Sequence, residues 1–197
     1  MAPLVERALA PAVQANRATG GGAGWALEPV APALRRARQA SGSLVGELLA
    51  LRTDVKAFYA SVSPTVLATA LGWAGAGRGD SREAATLLEG WGSEGYPGLP
   101  IGPPGSAVLA NAVLDPVDRS LGGMRFLRWV DDYLVAVPSE RAAREAQERI
   151  EEALDALGLE ANRSKTEIGP WRGVWPGGRD GVASLAPLRP AGTIAAP

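Results

Sequence analysis

The segment RFLRWVDDYLVAV, Arg125 to Val137, sets two adjacent carboxylates, Asp131 and Asp132, at the centre of two short apolar runs. Such runs around a polar tip read as a β-hairpin. Paired negative charge beside an apolar sheet loses solvation and repels itself, so the arrangement calls for a compensating cation. A hard divalent ion is the natural one. A third carboxylate in a similar setting, Asp54 in LALRTDVKAFYASV, suggests the rest of such a site. The competing reading is the polar tip of a tight turn, where Asp is favoured because its side chain bonds nearby backbone.

Composition narrows the chemistry. The 197 residues include no Cys and no His. Disulfides, Cys/His zinc sites and Ser-His or Cys-His nucleophile pairs within this chain are therefore excluded. Any acid-base or metal chemistry runs on Asp, Glu, Lys, Arg, Tyr or backbone, which points to oxygen-liganded Mg²⁺ or Mn²⁺. A charged fraction of 21% and a hydrophobic fraction of 46% are those of a globular protein. The net charge of −1 gives no global sign of phosphate binding, although a cluster of acidic ligands would itself lower the pI. No apolar run approaches the roughly 18 residues of a membrane span, and the N-terminus offers no signal-peptide core. A cytoplasmic protein with no membrane partner is expected.

Along the chain, RATGGGAGWALEPVAP (17–32) reads as loop or linker, followed by a short helix with a basic face of Arg35, Arg36 and Arg38. A buried strand is expected over Glu47 to Val55. Ser63 with Pro64 is a helix start, and Asp80 with Glu83 resembles a capping box for the next helix. Gly95 to Gly105 reads as loop, opening onto a helix through Val108, Leu109, Ala112, Val113, Val117 and Leu121. Ser139 to Leu157 carries the clearest helical pattern, with Glu145 and Arg149 paired at i,i+4 and Gly158 at the stop. A short strand pair around Leu159 to Ile168 follows. The order strand, helix, helix, loop and helix, hairpin, helix, strand describes an α+β fold, an antiparallel sheet with helices packed on one face. If the strands are neighbours, Asp54, Asp131 and Asp132 meet.

Four blocks, TDVKAFYASV, GLPIGPPGSAVLANAVLDPVD, FLRWVDDYLVAV and ANRSKTEI, resemble in order and spacing the palm domain of reverse transcriptases, RNA-directed DNA polymerases. The form LPIGP looks most like bacterial abortive-infection, phage-defence or group II intron-like members. The resemblance implies a ferredoxin-like palm in which Asp54 and Asp131 hold two Mg²⁺ ions, Mn²⁺ being the alternative. Asp132 is the supporting carboxylate and the Val55 carbonyl a further oxygen ligand. Two-metal chemistry suits addition of a dNTP to a primer 3′-hydroxyl.

By the same resemblance Tyr59 matches an aromatic gate against a ribose 2′-hydroxyl. Phe58 beside it counts among the nucleotide-binding residues, with packing under the sheet as its other reading. Gly98, Pro100, Gly102, Gly105 and Ser106 form the loop against the incoming nucleotide, where glycine permits close backbone approach and the following helix offers amide groups, a structural loop between helices being the other reading. Ile101 departs from the polar residue of retroviral relatives. Asn111 tethers that loop or faces substrate. Lys165 matches a lysine that protonates or pairs with departing pyrophosphate, its other reading being an exposed strand-turn lysine. Arg125 and Arg128 approach nucleic-acid phosphate or form a strand's solvent side.

Only 53 residues precede Asp54, with no match to a basic fingers segment, and little regular pattern follows Ile168. The expected division is a partial fingers or linker region over 1–46, a palm over 47–168 and an irregular tail over 169–197. Reduced fingers and no complete thumb imply a truncated product or other subunits that supply the grip. The implied partners are an RNA template, a DNA or RNA primer and dNTPs, in antiviral defence or a retroelement. The alternatives are a non-catalytic palm remnant acting as a scaffold, and untemplated or protein-primed DNA synthesis.

Overall fold

The structure, a computed structural model, describes residues 49–170 and a short antiparallel pair before them, β1 (Ala18–Thr19) with β2 (Ala26–Leu27). That pair falls inside the stretch expected to be loop. The basic helix expected near Arg35 and the rest of the 1–46 region lie outside the described residues, as does the chain from 171 onward.

The main sheet has four strands in the order β4-β5-β3-β6. They are β3 (Leu49–Asp54), β4 (Arg125–Trp129), β5 (Asp132–Val137) and β6 (Glu167–Pro170), and every neighbouring pair is antiparallel. Five α-helices connect them: α1 (Phe58–Ser61), α2 (Pro64–Trp73), α3 (Arg78–Ser93), α4 (Pro104–Ser120) and α5 (Glu140–Asp155). The expected α+β architecture is the one observed.

Strand alternation decides which face each residue serves. Leu51 and Thr53 of β3, with Tyr133, Val135 and Val137 of β5, are buried on the helix side. There they join Val66, Leu67, Ala70 and Leu71 of α2, Val113, Leu114 and Val117 of α4, and Ile150 and Leu154 of α5 in one apolar core. The opposite face carries a smaller apolar group, Ala50, Leu127 and Leu134, and then turns polar toward the hairpin end with Arg52, Asp54 and Asp132.

Local chemistry sets the helix ends. The Ser63 side chain accepts from the Val66 amide with Pro64 in the first turn, and Ser139 accepts likewise from Ala142. Gly158, at φ 73, takes the left-handed turn that lets Leu159 N–H bond back to the Leu154 carbonyl. Three expectations shift. Helix α3 begins at Arg78, so Asp80 is no cap and lies in the first turn, where its charge suits the helix dipole. Helix α4 begins at Pro104, because proline is favoured at a helix start, which puts Gly105 in a helix rather than a loop. On α5, Glu145 pairs with Arg141 instead of Arg149, which reaches back to the Ser120 carbonyl.

The end of the fold also differs in detail. The expected strand pair is an isolated bridge, Val55 with Ala161, a 3₁₀ turn (Arg163–Lys165) and the single strand β6. That strand runs to Pro170, two residues into the region assigned to the tail, because Gly169 and Pro170 stay in register with Ala50 and Leu49.

Candidate active site

The register of β3 and β5 sets Asp54 directly opposite Asp132. Like charges in direct cross-strand pairing repel, so something must compensate. Arg52, two residues before Asp54 on the same face, does so for Asp132: its Nε and Nη2 donate to the two carboxylate oxygens at 3.4 and 3.3 Å. The strand pattern places an arginine at this position, and sequence reading passed over its reach to the diagonal neighbour. Burial still raises the Asp132 pKa, with Arg52 pulling the other way.

Asp54 is compensated from another direction. Lys165 Nζ donates to Asp54 Oδ2 at 2.6 Å. The 3₁₀ turn that carries Lys165 is fastened to β3 by two contacts and braced within itself by a third. Asn162 N–H donates to the Asp54 carbonyl at 2.8 Å, Thr166 Oγ1 donates to the Asn162 carbonyl at 3.0 Å, and the Thr53 and Thr166 hydroxyls share a hydrogen bond of 2.7 Å. The hydrogen bond and charge of Asp54 raise the Lys165 pKa, so the ammonium is firmly protonated. Thr53, Asn162 and Thr166 have no sequence signal beyond lying within the matched blocks TDVKAFYASV and ANRSKTEI.

Asp131 sits in the hairpin turn between β4 and β5. Its pKa is pushed up to about 6, first by burial and then by the charges of Asp54 and Asp132, against a backbone hydrogen bond and Lys165 that lower it. The preceding residue, Val130, has φ 58. A β-branched residue there is strained, as the first central position of a tight hairpin turn requires a backbone that suits glycine.

The three expected carboxylates therefore gather at one end of the sheet. Among the described residues no three acidic side chains close into a single metal-holding cluster. The donor set nevertheless suits a hard cation, since Asp54 Oδ1 is buried with no hydrogen-bond partner and Asp131 is deprived of solvation beside it. Asp132, with both oxygens on Arg52, fits the supporting role. Val55 closes the β3 end through its bridge to Ala161.

The nucleotide-side candidates separate. Tyr59 lies in α1, half-buried, its ring edge-on to Phe58 at 5.4 Å. Phe58 is 2% exposed in the core, so it packs beneath the site instead of meeting a nucleotide. Gly98 makes its close approach to the chain itself: a Cβ there would strike the Tyr59 carbonyl and come within 2.8 Å of the Ala60 carbonyl, and Leu99 N–H donates to Tyr59 O at 2.8 Å. The loop is thereby locked to the helix that carries Tyr59. Pro100 is buried, whereas Ile101 and Gly102 are exposed, with Gly102 at φ 117. Ser106 is buried in α4, its hydroxyl without a partner, and does not face the loop surface.

One expectation is overturned outright. Arg128 reaches no phosphate, because alternation turns it to the helix side, where it is 0% exposed. Its Nε and Nη2 each donate to Asp118 at 2.8 Å, and its Nη1 donates to Asn111 Oδ1 at 3.1 Å and to the Val130 carbonyl at 2.7 Å. Tyr133 Oη donates to Asp118 at 3.0 Å, and burial raises its pKa well above the usual phenol value. Burial alone would weaken the Arg128 charge; the Asp118 carboxylate more than offsets this and its pKa is raised. Asn111 thus joins this buried network through its Oδ1.

No curated protein matches the chain. Among solved structures, telomerase from Candida albicans in complex with a TWJ fragment of telomeric RNA is similar at 13% identity and a TM-score of 0.47, covering 74% of this chain and 31% of that one. The chain thus spans about a third of that neighbour's length. A family model described as "Reverse transcriptase (RNA-dependent DNA polymerase)" matches residues 27–177. That match takes in most of the chain, including every strand of the main sheet, and the chain belongs to the reverse transcriptase family.

Proposed function

We propose that this chain is a polymerase palm that adds dNTPs to a primer 3′-hydroxyl on an RNA template, with Asp54 and Asp131 as its metal-holding carboxylates. The observation that carries this reading is the buried, unpartnered Asp54 Oδ1 beside a desolvated Asp131 at the end of the β3–β5 ladder. Two Mg²⁺ ions, or Mn²⁺ in their place, would supply activation of the hydroxyl and neutralisation of the triphosphate when bound. The chain's own residues do the rest. Arg52 holds Asp132 as a fixed, partly neutralised support for the neighbouring turn. Lys165, with 66% of its side chain exposed and firmly protonated, exchanges Asp54 for the phosphate oxygens of the nucleotide and gives its proton to the departing pyrophosphate. Tyr59, fixed from behind by Phe58 and by the Gly98–Leu99 loop, offers a ring edge against a 2′-hydroxyl.

The test is primer extension by the purified chain on a primed RNA template with dNTPs and Mg²⁺ or Mn²⁺. Asp131→Asn abolishes incorporation in this reading. Incorporation that survives the substitution refutes the site.

A second reading has an observation behind it: Lys165 and Arg52 already compensate Asp54 and Asp132 within the chain. A palm that serves as a scaffold for other subunits needs no more than that. Calorimetric titration separates the two, since only the enzyme binds dNTP in a metal-dependent way. Sequencing the product separates copying from untemplated or protein-primed synthesis. A role in antiviral defence or in a retroelement rests on the LPIGP loop alone.

A further inference from the structure

Among the described residues, the buried polar network behind the hairpin is the largest commitment of charge in the core that the reaction itself does not use. Arg128 and Asp118 are both wholly buried, form a two-pronged ion pair, and are closed off by Tyr133 and Asn111. Filling this volume with apolar side chains would serve packing equally well, and replacing buried ion pairs in that way is often neutral for stability. One contact of the network points elsewhere. One Nη1 donor of Arg128 leaves the core and ends on the carbonyl of Val130, the strained residue that immediately precedes Asp131.

We propose that Arg128 is a positioning residue: anchored by Asp118 in α4, it holds the Val130 carbonyl and thereby fixes the hairpin tip that presents Asp131 to the opposite strand's Asp54. The geometry requires an arginine, because the same planar fork grips a carboxylate through Nε and Nη2 while Nη1 reaches the tip. The tether also explains how a β-branched residue is kept at φ 58, a conformation that persists only where surroundings over-determine it. This inference rests on the reading of Asp131 as a metal-holding carboxylate.

The full chain carrying Arg128→Met together with Asp118→Asn tests it. The pair removes both buried charges at once and leaves an amide oxygen to accept from the Tyr133 hydroxyl. Hydrogen exchange is followed across the hairpin tip, with α5 as internal reference, and Mn²⁺ binding is titrated on the dNTP-free chain. Exchange at the tip accelerates about tenfold with α5 unchanged, and Mn²⁺ affinity falls about tenfold, the scale expected when an outer partner of a metal site is lost. In primer extension kcat falls while KM for dNTP holds. If the double variant also loosens α5, Arg128→Lys replaces it, since one ammonium keeps the charge beside Asp118 but does not span to the Val130 carbonyl. Wild-type exchange at the tip overturns the tether, and a loosened tip with undiminished Mn²⁺ affinity overturns its role in the site. Mn²⁺ affinity unaltered by Asp131→Asn refutes the metal reading instead, and the exchange result still decides the tether.

Discussion

Val130 carries a β-branched side chain at φ 58, and Ala57, three residues past Asp54, stands at φ 47. These are the two described non-glycine residues with positive φ, and each lies beside a carboxylate of the candidate site. Backbone strain of this kind costs on the order of 1–3 kcal/mol per residue. Glycine at 130 would relieve it, offset by the extra freedom glycine has in the unfolded chain, about 0.5–1 kcal/mol. Val130→Gly is therefore expected to stabilise the protein by about 1 kcal/mol in urea unfolding, and to lower rather than raise any activity, because the tip gains alternative conformations. A destabilised variant would show that the valine side chain contributes more by packing than its backbone costs.

At the scale of elements, the helices were legible wherever the chain signals its own ends. Ser63-Pro64, Ser139 and Gly158 each do locally what their type predicts. The start of α4 was misplaced because Pro103 and Pro104 read equally as loop, and only the helix beyond them shows which. Within α4 the sequence conceals more. Asn111, Asp115 and Asp118 are polar letters in an apolar repeat, and periodicity alone cannot tell a solvated position from a buried, paired one. Asp115 is buried with its carboxylate on Arg119 at 2.7 Å. Burial raises its pKa despite Arg119, so the folded state holds the proton more tightly than the unfolded chain does. The stability this contributes is complete below the ordinary carboxylate value of 3.8 and is lost as pH rises through the raised folded value. Asp115→Asn, which mimics the protonated form, is accordingly expected to gain melting temperature relative to wild type as pH rises from about 3.5 to 7. A difference that shrinks over that range would mean that the Arg119 pairing outweighs burial.

At the scale of the molecule, the sheet divides two tasks between its faces, and this division was only half legible. Alternation along TDV and WVDDYLV shows which residues share a face, so the meeting of Asp54 with Asp132 follows once the strands are paired. What the helix face contains depends on which helix lies behind which strand, and no local pattern carries that. Hence Arg128 read as a phosphate contact or a strand's solvent side when it is the link between β4, α4 and the hairpin tip. The link makes a prediction about global stability. Arg128→Met alone strands the Asp118 carboxylate, 0% exposed, without its counter-charge while the Tyr133 hydroxyl still donates to it. Breaking a buried pair from one side costs about 3–5 kcal/mol. Asp118→Asn alone leaves the guanidinium with the Asn111 and Val130 oxygens and an amide, and loses the counter-charge at comparable cost. Because both penalties arise from an uncompensated charge, the double variant should lose far less than their sum, giving a coupling of at least about 2 kcal/mol in a urea double-mutant cycle. Additive losses would mean that each side chain holds the fold through packing of its own, and that the sheet edge and α4 are joined by shape and not by this pair.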